Sequence, residues 1–141
     1  MFPQKITIEQ LNTVSKDTLL ENLGIEFTEI GADFIVAKMP VDERTQQPMG
    51  LLHGGASVAL AESIGSTGSY LLIDTKKQSA VGLEINANHI GGAQKGFVYG
   101  TGKIVHRGKT THIWNIEIRD EKDKLISICR LTLLILERKE V

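Results

Sequence analysis

The sequence predicts an α+β domain in which an antiparallel sheet curves around one long buried helix. Three observations carry that expectation. The apolar segment from Leu51 to Ile73 is too long for a strand and holds no proline, so it is a buried helix over about Gly54 to Leu72. Two strand-like runs precede it and four follow it. The later runs are joined by short polar or glycine-rich connections, which predicts that neighbouring strands pair antiparallel.

Taken in order, Thr7 with Gln10 forms a capping box that opens a short helix. Asp17 or Thr18 then caps a second turn, Thr18 to Leu23, and Gly24 stops it. Runs over 25–30 and 34–39, with Gly31-Ala32-Asp33 between them, read as a hairpin that Pro40 ends. After a polar loop over 42–48 comes the central helix, followed by strands over 80–89, 97–106, 110–119 and 125–136. Asp120 to Lys124 reads as a charged turn with no function of its own, and the tail from Glu137 to Val141 as a frayed end. One helix covers only part of so long a sheet, so the remainder needs a second copy of the chain.

With 141 residues there is room for one hydrophobic core, and the domain is taken to span 1–141. A formal net charge of −1 gives no excess of Lys and Arg to meet phosphates, which argues against a nucleic-acid partner. No apolar run is long enough for a membrane span and no signal pattern opens the chain, so no membrane partner is expected and the expected location is the cytoplasm. Cys129, the lone cysteine, reads as a packed small residue. His53, His89, His106 and His112 lack zinc spacing, so no metal is expected, and Trp114 reads as core or interface. The lack of a Gly-x-Ser-x-Gly elbow and of a βαβ pattern around it argues against a serine hydrolase.

Chemistry concentrates on the central helix. Glu62 is the one acidic or basic side chain between Gly54 and Ile73, and an unpaired carboxylate in such a segment needs donors or a cavity. Ser66 and Ser69, one and two turns on, are read as extending a polar stripe from it. Gly54, Ala61, Gly65 and Gly68 form a small-residue face that permits close approach to the sheet. His53-Gly54-Gly55 places free backbone N–H groups at the amino end, where a substrate oxygen could be held. Gly54 and Glu62 lie roughly 12 Å apart along the axis, at about 1.5 Å per residue. Either they serve different purposes, or one site takes Gly54 from one subunit and Glu62 from another.

The run from Met39 to Ser66, which contains Gln47-Pro-Met-Gly-Leu-Leu-His-Gly-Gly-Ala and Ala61-Glu-Ser, resembles the hotdog-fold thioesterases, as does Val81-Gly-Leu-Glu-Ile-Asn-Ala-Asn-His. Within them it is most similar to the group acting on aromatic acyl thioesters of the dihydroxynaphthoyl-CoA, hydroxybenzoyl-CoA and enterobactin-proofreading kinds. The resemblance implies a hotdog fold, acyl-CoA hydrolysis, no cofactor, and a homo-oligomer in which dimers pair into tetramers. It implies that Glu62 attacks the thioester carbon or activates a water. Gly54 would give its N–H to the thioester oxygen, while His53, Gln47 and Ser66 support the site. It further puts Gly55, Met49, Val81, Gly82 and His89 around the substrate. Relatives carry a basic residue where this chain has Gly91-Gly92, so Lys95, Arg107 or Lys109 is expected to meet the CoA phosphates instead. Three other readings stay open: a carrier-protein thioesterase, a hotdog dehydratase, and a non-catalytic acyl-binding module.

Overall fold

Thr7 opens the first helix as the capping box predicts. Its hydroxyl accepts the Gln10 N–H at 3.1 Å, and the Gln10 side-chain carbonyl accepts the Thr7 N–H at 2.8 Å. The computed structural model describes residues 2, 3 and 5–138. Helices α1 (Ile8–Val14) and α2 (Leu19–Leu23) lead into strands β1 (Glu26–Ile30) and β2 (Phe34–Pro40). Gly24 closes α2 at φ +70°, a conformation that favours glycine. The long helix α3 (Gly54–Leu72) follows, then β3 (Gln78–His89), β4 (Phe97–Arg107), β5 (Thr111–Asp120) and β6 (Leu125–Glu137). Glu137 and Arg138 are not frayed: the strand includes Glu137, and Arg138 bonds to Lys77 and Gln78. Residues 139–141 lie outside the described residues.

All pairings in the six-stranded sheet are antiparallel, in the order β1-β2-β4-β5-β6-β3. The expectation that sequence neighbours pair therefore fails for β3, which lies beside β6 and not beside β4. Seven residues, 90–96, separate β3 from β4. Seven residues can extend to roughly 23 Å, whereas three strand spacings amount to about 14 Å. The connection crosses the end of the sheet, with Ile90 and Gly91 both donating to the Ile126 carbonyl.

The sheet wraps α3 because small residues on both let them approach closely. A Cβ at Gly68 would lie 2.3 Å from Trp114 Cη2, and one at Gly65 would lie 2.6 Å from Leu131 Cδ2. The reverse fit occurs on β4, where Ile64 lies so close to Gly100 and Gly102 that a Cβ at either would meet it at 2.5 Å. Trp114, Ile64 and Leu131 are fully buried, and Cys129 is packed among them. Ser69 departs from the predicted polar stripe. It is fully buried, its Oγ accepting the Trp114 indole N–H at 2.8 Å and lying 3.0 Å from His112 Nδ1. The helix is sunk far enough into the sheet at this end that a residue on Glu62's side becomes interior. His112 is likewise core, and Arg107 donates to the Leu72 carbonyl at the carboxyl end of α3.

Two tests follow from this packing. Gly68→Ala gains about 1 kcal/mol of helix propensity. It also drives a methyl into a buried indole, and overpacking costs typically about 1–3 kcal/mol. The melting temperature should fall, by roughly 2–8 °C for a net loss of about 1 kcal/mol, measured by calorimetry. Burial, reinforced by the charges of Arg107 and His106, pushes the His112 pKa below its ordinary 6.5. The unfolded chain then binds this proton more readily, so His112 leaves stability constant above about pH 6.5 and lowers it as pH falls through that value. His112→Asn, which can still meet Ser69, should flatten that fall in urea midpoints compared at pH 5 and 7.5.

Candidate active site

Glu62 stands half-buried midway along α3, on a segment whose other side chains are apolar, small or hydroxylic. Among the described residues its carboxylate has no ion pair and no hydrogen bond. Oε1 occupies the notch that Gly82 leaves on β3, where a Cβ would lie 2.3 Å away. At the other end of β3, His89 Nε2 lies against Gly54, 2.6 Å from where a Cβ would be. Residues 82 and 89 are an odd number apart and would face opposite sides of a regular strand. The register shift between Gly82 and Glu84 changes the parity, so that both face α3.

At the amino end of α3, His53 is the N-cap, its Nδ1 accepting the Gly55 N–H at 2.8 Å. Gly55 N–H is thereby occupied, while Gly54 N–H has no partner among the described residues. His89 is oriented by Ser127, whose buried Oγ is 3.2 Å from His89 Nδ1 and donates to the Asn88 carbonyl at 3.2 Å. The preceding loop is closed by a bridge between Gln46 and Leu52, and its tip is Met49, 79% exposed. Gln47 folds its side-chain carbonyl onto the Met49 N–H. Ser66 is half-buried one turn beyond Glu62.

Within one chain the candidates fall into two groups. His53, Gly54, Gly55 and His89 gather at the amino end of α3, while Glu62, Gly82 and Ser66 gather midway along it. Val81 is 43% exposed on β3, a long strand whose outer edge has no partner among the described residues. Arg107 lies at the carboxyl end of α3, about 27 Å of helix from Gly54, and Lys109 is in the turn between β4 and β5. Lys95 is exposed in the 90–96 connection. Sequence reasoning missed Ser127. Its contact with His89 joins residues more than thirty positions apart, and no local pattern signals it. No group of three or more His, Cys, Asp or Glu among the described residues could hold a metal. An unpaired carboxylate and an unpaired amide at a helix amino end are parts that acyl transfer uses, the first to attack or take a proton and the second to hold an oxyanion.

The sequence profile of the thioesterase superfamily matches residues 49–127. The chain belongs to the thioesterase superfamily. It is 51% identical over 136 residues to the 1,4-dihydroxy-2-naphthoyl-CoA hydrolase of Escherichia coli, covering 96% of this chain and 99% of that one. It is 43% identical over 136 residues to the proofreading thioesterase EntH of Cronobacter turicensis, covering 96% and 98%. Among solved structures, a mutant of the Pseudomonas aeruginosa thioesterase PA1618 superposes with a TM-score of 0.96 at 44% identity, covering 97% of this chain and 99% of that one. The Haemophilus influenzae thioesterase HI1161 gives 0.95 at 42%, covering 99% and 96%. The fold is the hotdog, and this thioesterase is a hydrolase.

Gly82→Ala tests the notch. The added methyl meets the end of a flexible side chain, so the Glu62 carboxylate moves and the fold does not. Thioesterase turnover should fall by roughly 10–100-fold, the size of effect that ångström misplacement produces. The melting temperature should stay within a degree or two, and an equal loss of stability would assign Gly82 to packing instead.

Proposed function

We propose that this thioesterase hydrolyses an acyl-CoA with an aromatic acyl group, and that Glu62 supplies the reacting carboxylate. The observation that carries the reading is Glu62 itself, half-buried on the central helix with neither ion pair nor hydrogen bond among the described residues. As a nucleophile it would add to the thioester carbon, expel CoA thiolate, which takes a proton from water, and leave a mixed anhydride for water to cleave. As a general base it would take the proton of the attacking water directly. In either case the carbonyl oxygen gains charge, and Gly54 N–H is the open donor there because His53 occupies that of Gly55. Gln47 and Ser66 would orient the thioester and the water.

The aromatic acyl group is supported by the relative named for dihydroxynaphthoyl-CoA. A second reading, in which a carrier protein bears the thioester, is what the resemblance to proofreading thioesterases implies, and EntH is a relative so named. Two copies per site are supported by the distance between Gly54 and Glu62, and by the free edge of β3 with Val81 43% and Leu83 61% exposed. Such an edge is a template for pairing with another chain. Pairing of β3 with β3 of a second copy would lay the two central helices side by side, and dimers so formed would pair into tetramers. We place the enzyme in the cytoplasm, as one domain over 1–141.

A panel of acyl-CoAs followed with a thiol reagent tests the activity. Glu62→Gln should keep the fold and lose roughly 10²–10⁴-fold in kcat; near wild-type turnover would sink the assignment. Mixing Glu62→Ala with Gly54→Val chains should restore activity once the subunits exchange, because one heterodimer site then has both groups intact. Light scattering should give a dimer or tetramer mass, and a fully active monomer would end the shared-site model.

A further inference from the structure

Gly91-Gly92 leaves no side chain at the start of the 90–96 connection, but the space is not empty. A Cβ at Gly91 would lie 3.1 Å from Lys124 Cε and 2.7 Å from the Leu125 carbonyl oxygen. The stem of Lys124, reaching from the β5–β6 turn, fills the volume a side chain at 91 would enter. Its ammonium donates to the Gly92 carbonyl at 3.3 Å. We propose that Lys124, with Lys122 and Lys95 beside it, binds the phosphates of a nucleotide-borne thioester; the inference rests on the acyl-CoA reading above.

The three lysines line one surface depression of about 430 Å³, and Leu51 lines it with them. Leu52 N–H bonds to the Ala93 carbonyl at 2.8 Å, which fixes the depression against the segment leading into Gly54. Leu51 is three residues from Gly54, at most about 11 Å of chain. A ligand with its thioester at Gly54 and a flexible arm would therefore carry its far end into this depression.

The charges suit an anion. Among the described residues Lys95, Lys122 and Lys124 make no ion pair, although Asp120 and Glu121 line the same depression. Asp120 is committed to the turn, its Oδ1 accepting the backbone N–H of Lys122 and of Lys124 at 2.9 Å each. The Glu121 carboxylate lies against Gly96, on the β3–β4 connection. Among the described residues one carbonyl contact holds the Lys124 ammonium, and a phosphate is a stronger acceptor for it.

The test compares one acyl group on CoA and on pantetheine, which lacks the nucleotide. For Lys124→Ala the KM of the CoA ester should rise roughly threefold, within the range of exposed charge contacts, and for Lys124→Glu, which adds repulsion, roughly tenfold. Lys124→Arg should stay near wild type. The ratio of kcat/KM for the CoA ester over the pantetheine ester should fall several-fold in Lys124→Glu, and the salt dependence of KM should weaken with it. An unchanged ratio in Lys124→Glu would overturn the inference. So would a wild-type enzyme that hydrolyses both esters equally, which would leave the thioesterase standing and point to a carrier-protein thioester. A wild-type enzyme inactive on both would instead remove the acyl-CoA reading itself.

Discussion

The close approach of α3 to the sheet is the constraint on which the remaining geometry depends. It is reciprocal: Trp114 and Leu131 press into gaps left by Gly65 and Gly68, while Ile64 presses into gaps left by Gly100 and Gly102. Neither partner could carry a side chain at those points without moving apart, because the opposing groups are fully buried. Helical glycines are unfavourable by about 1 kcal/mol each relative to alanine, so the contact they allow must outweigh that cost. Depth fixes chemistry as well. With α3 seated this low, the carboxylate of Glu62 comes level with β3 and enters the notch at Gly82.

Much of this was legible in the sequence, and what was not has a common physical cause. The helix bounds, the capping box at Thr7, the left-handed stop at Gly24 and the packing face of Gly65 and Gly68 all rest on local spacing, and the structure has each of them. The partner of β3 could not be read, because a seven-residue connection suits a hairpin and also a crossing over a curled sheet. Ser69 was misplaced for a related reason: helical periodicity gives a residue's angle about the axis but not how deeply the axis is sunk at that turn. The bulge between Gly82 and Glu84 leaves no trace in Val81-Gly-Leu-Glu-Ile, and the Lys124 contact with Gly92 spans a separation that no motif covers.

His53 also shows how a cap selects among donors. A helix begins with several N–H groups unpaired. By accepting from Gly55, the imidazole removes one of them and leaves the Gly54 N–H, the one beside His89. Sequence reasoning could place glycines at a helix start but could not say which amide stays open, since that depends on a side-chain rotamer.

The bulge on β3 works as a reading frame for one face of the sheet. Upstream of it Ala80 and Gly82 face α3, and downstream Ile85, Ala87 and His89 do. Were the same residues to run through this stretch as a regular strand, with no bulge, everything beyond it would turn by half a turn. Ile85 and Ala87 would leave the core and His89 would leave Gly54, while Glu84 and Asn86 would turn inward. The extra residue and the bulge therefore go together: without Leu83, an unbulged strand would keep the same residues against α3.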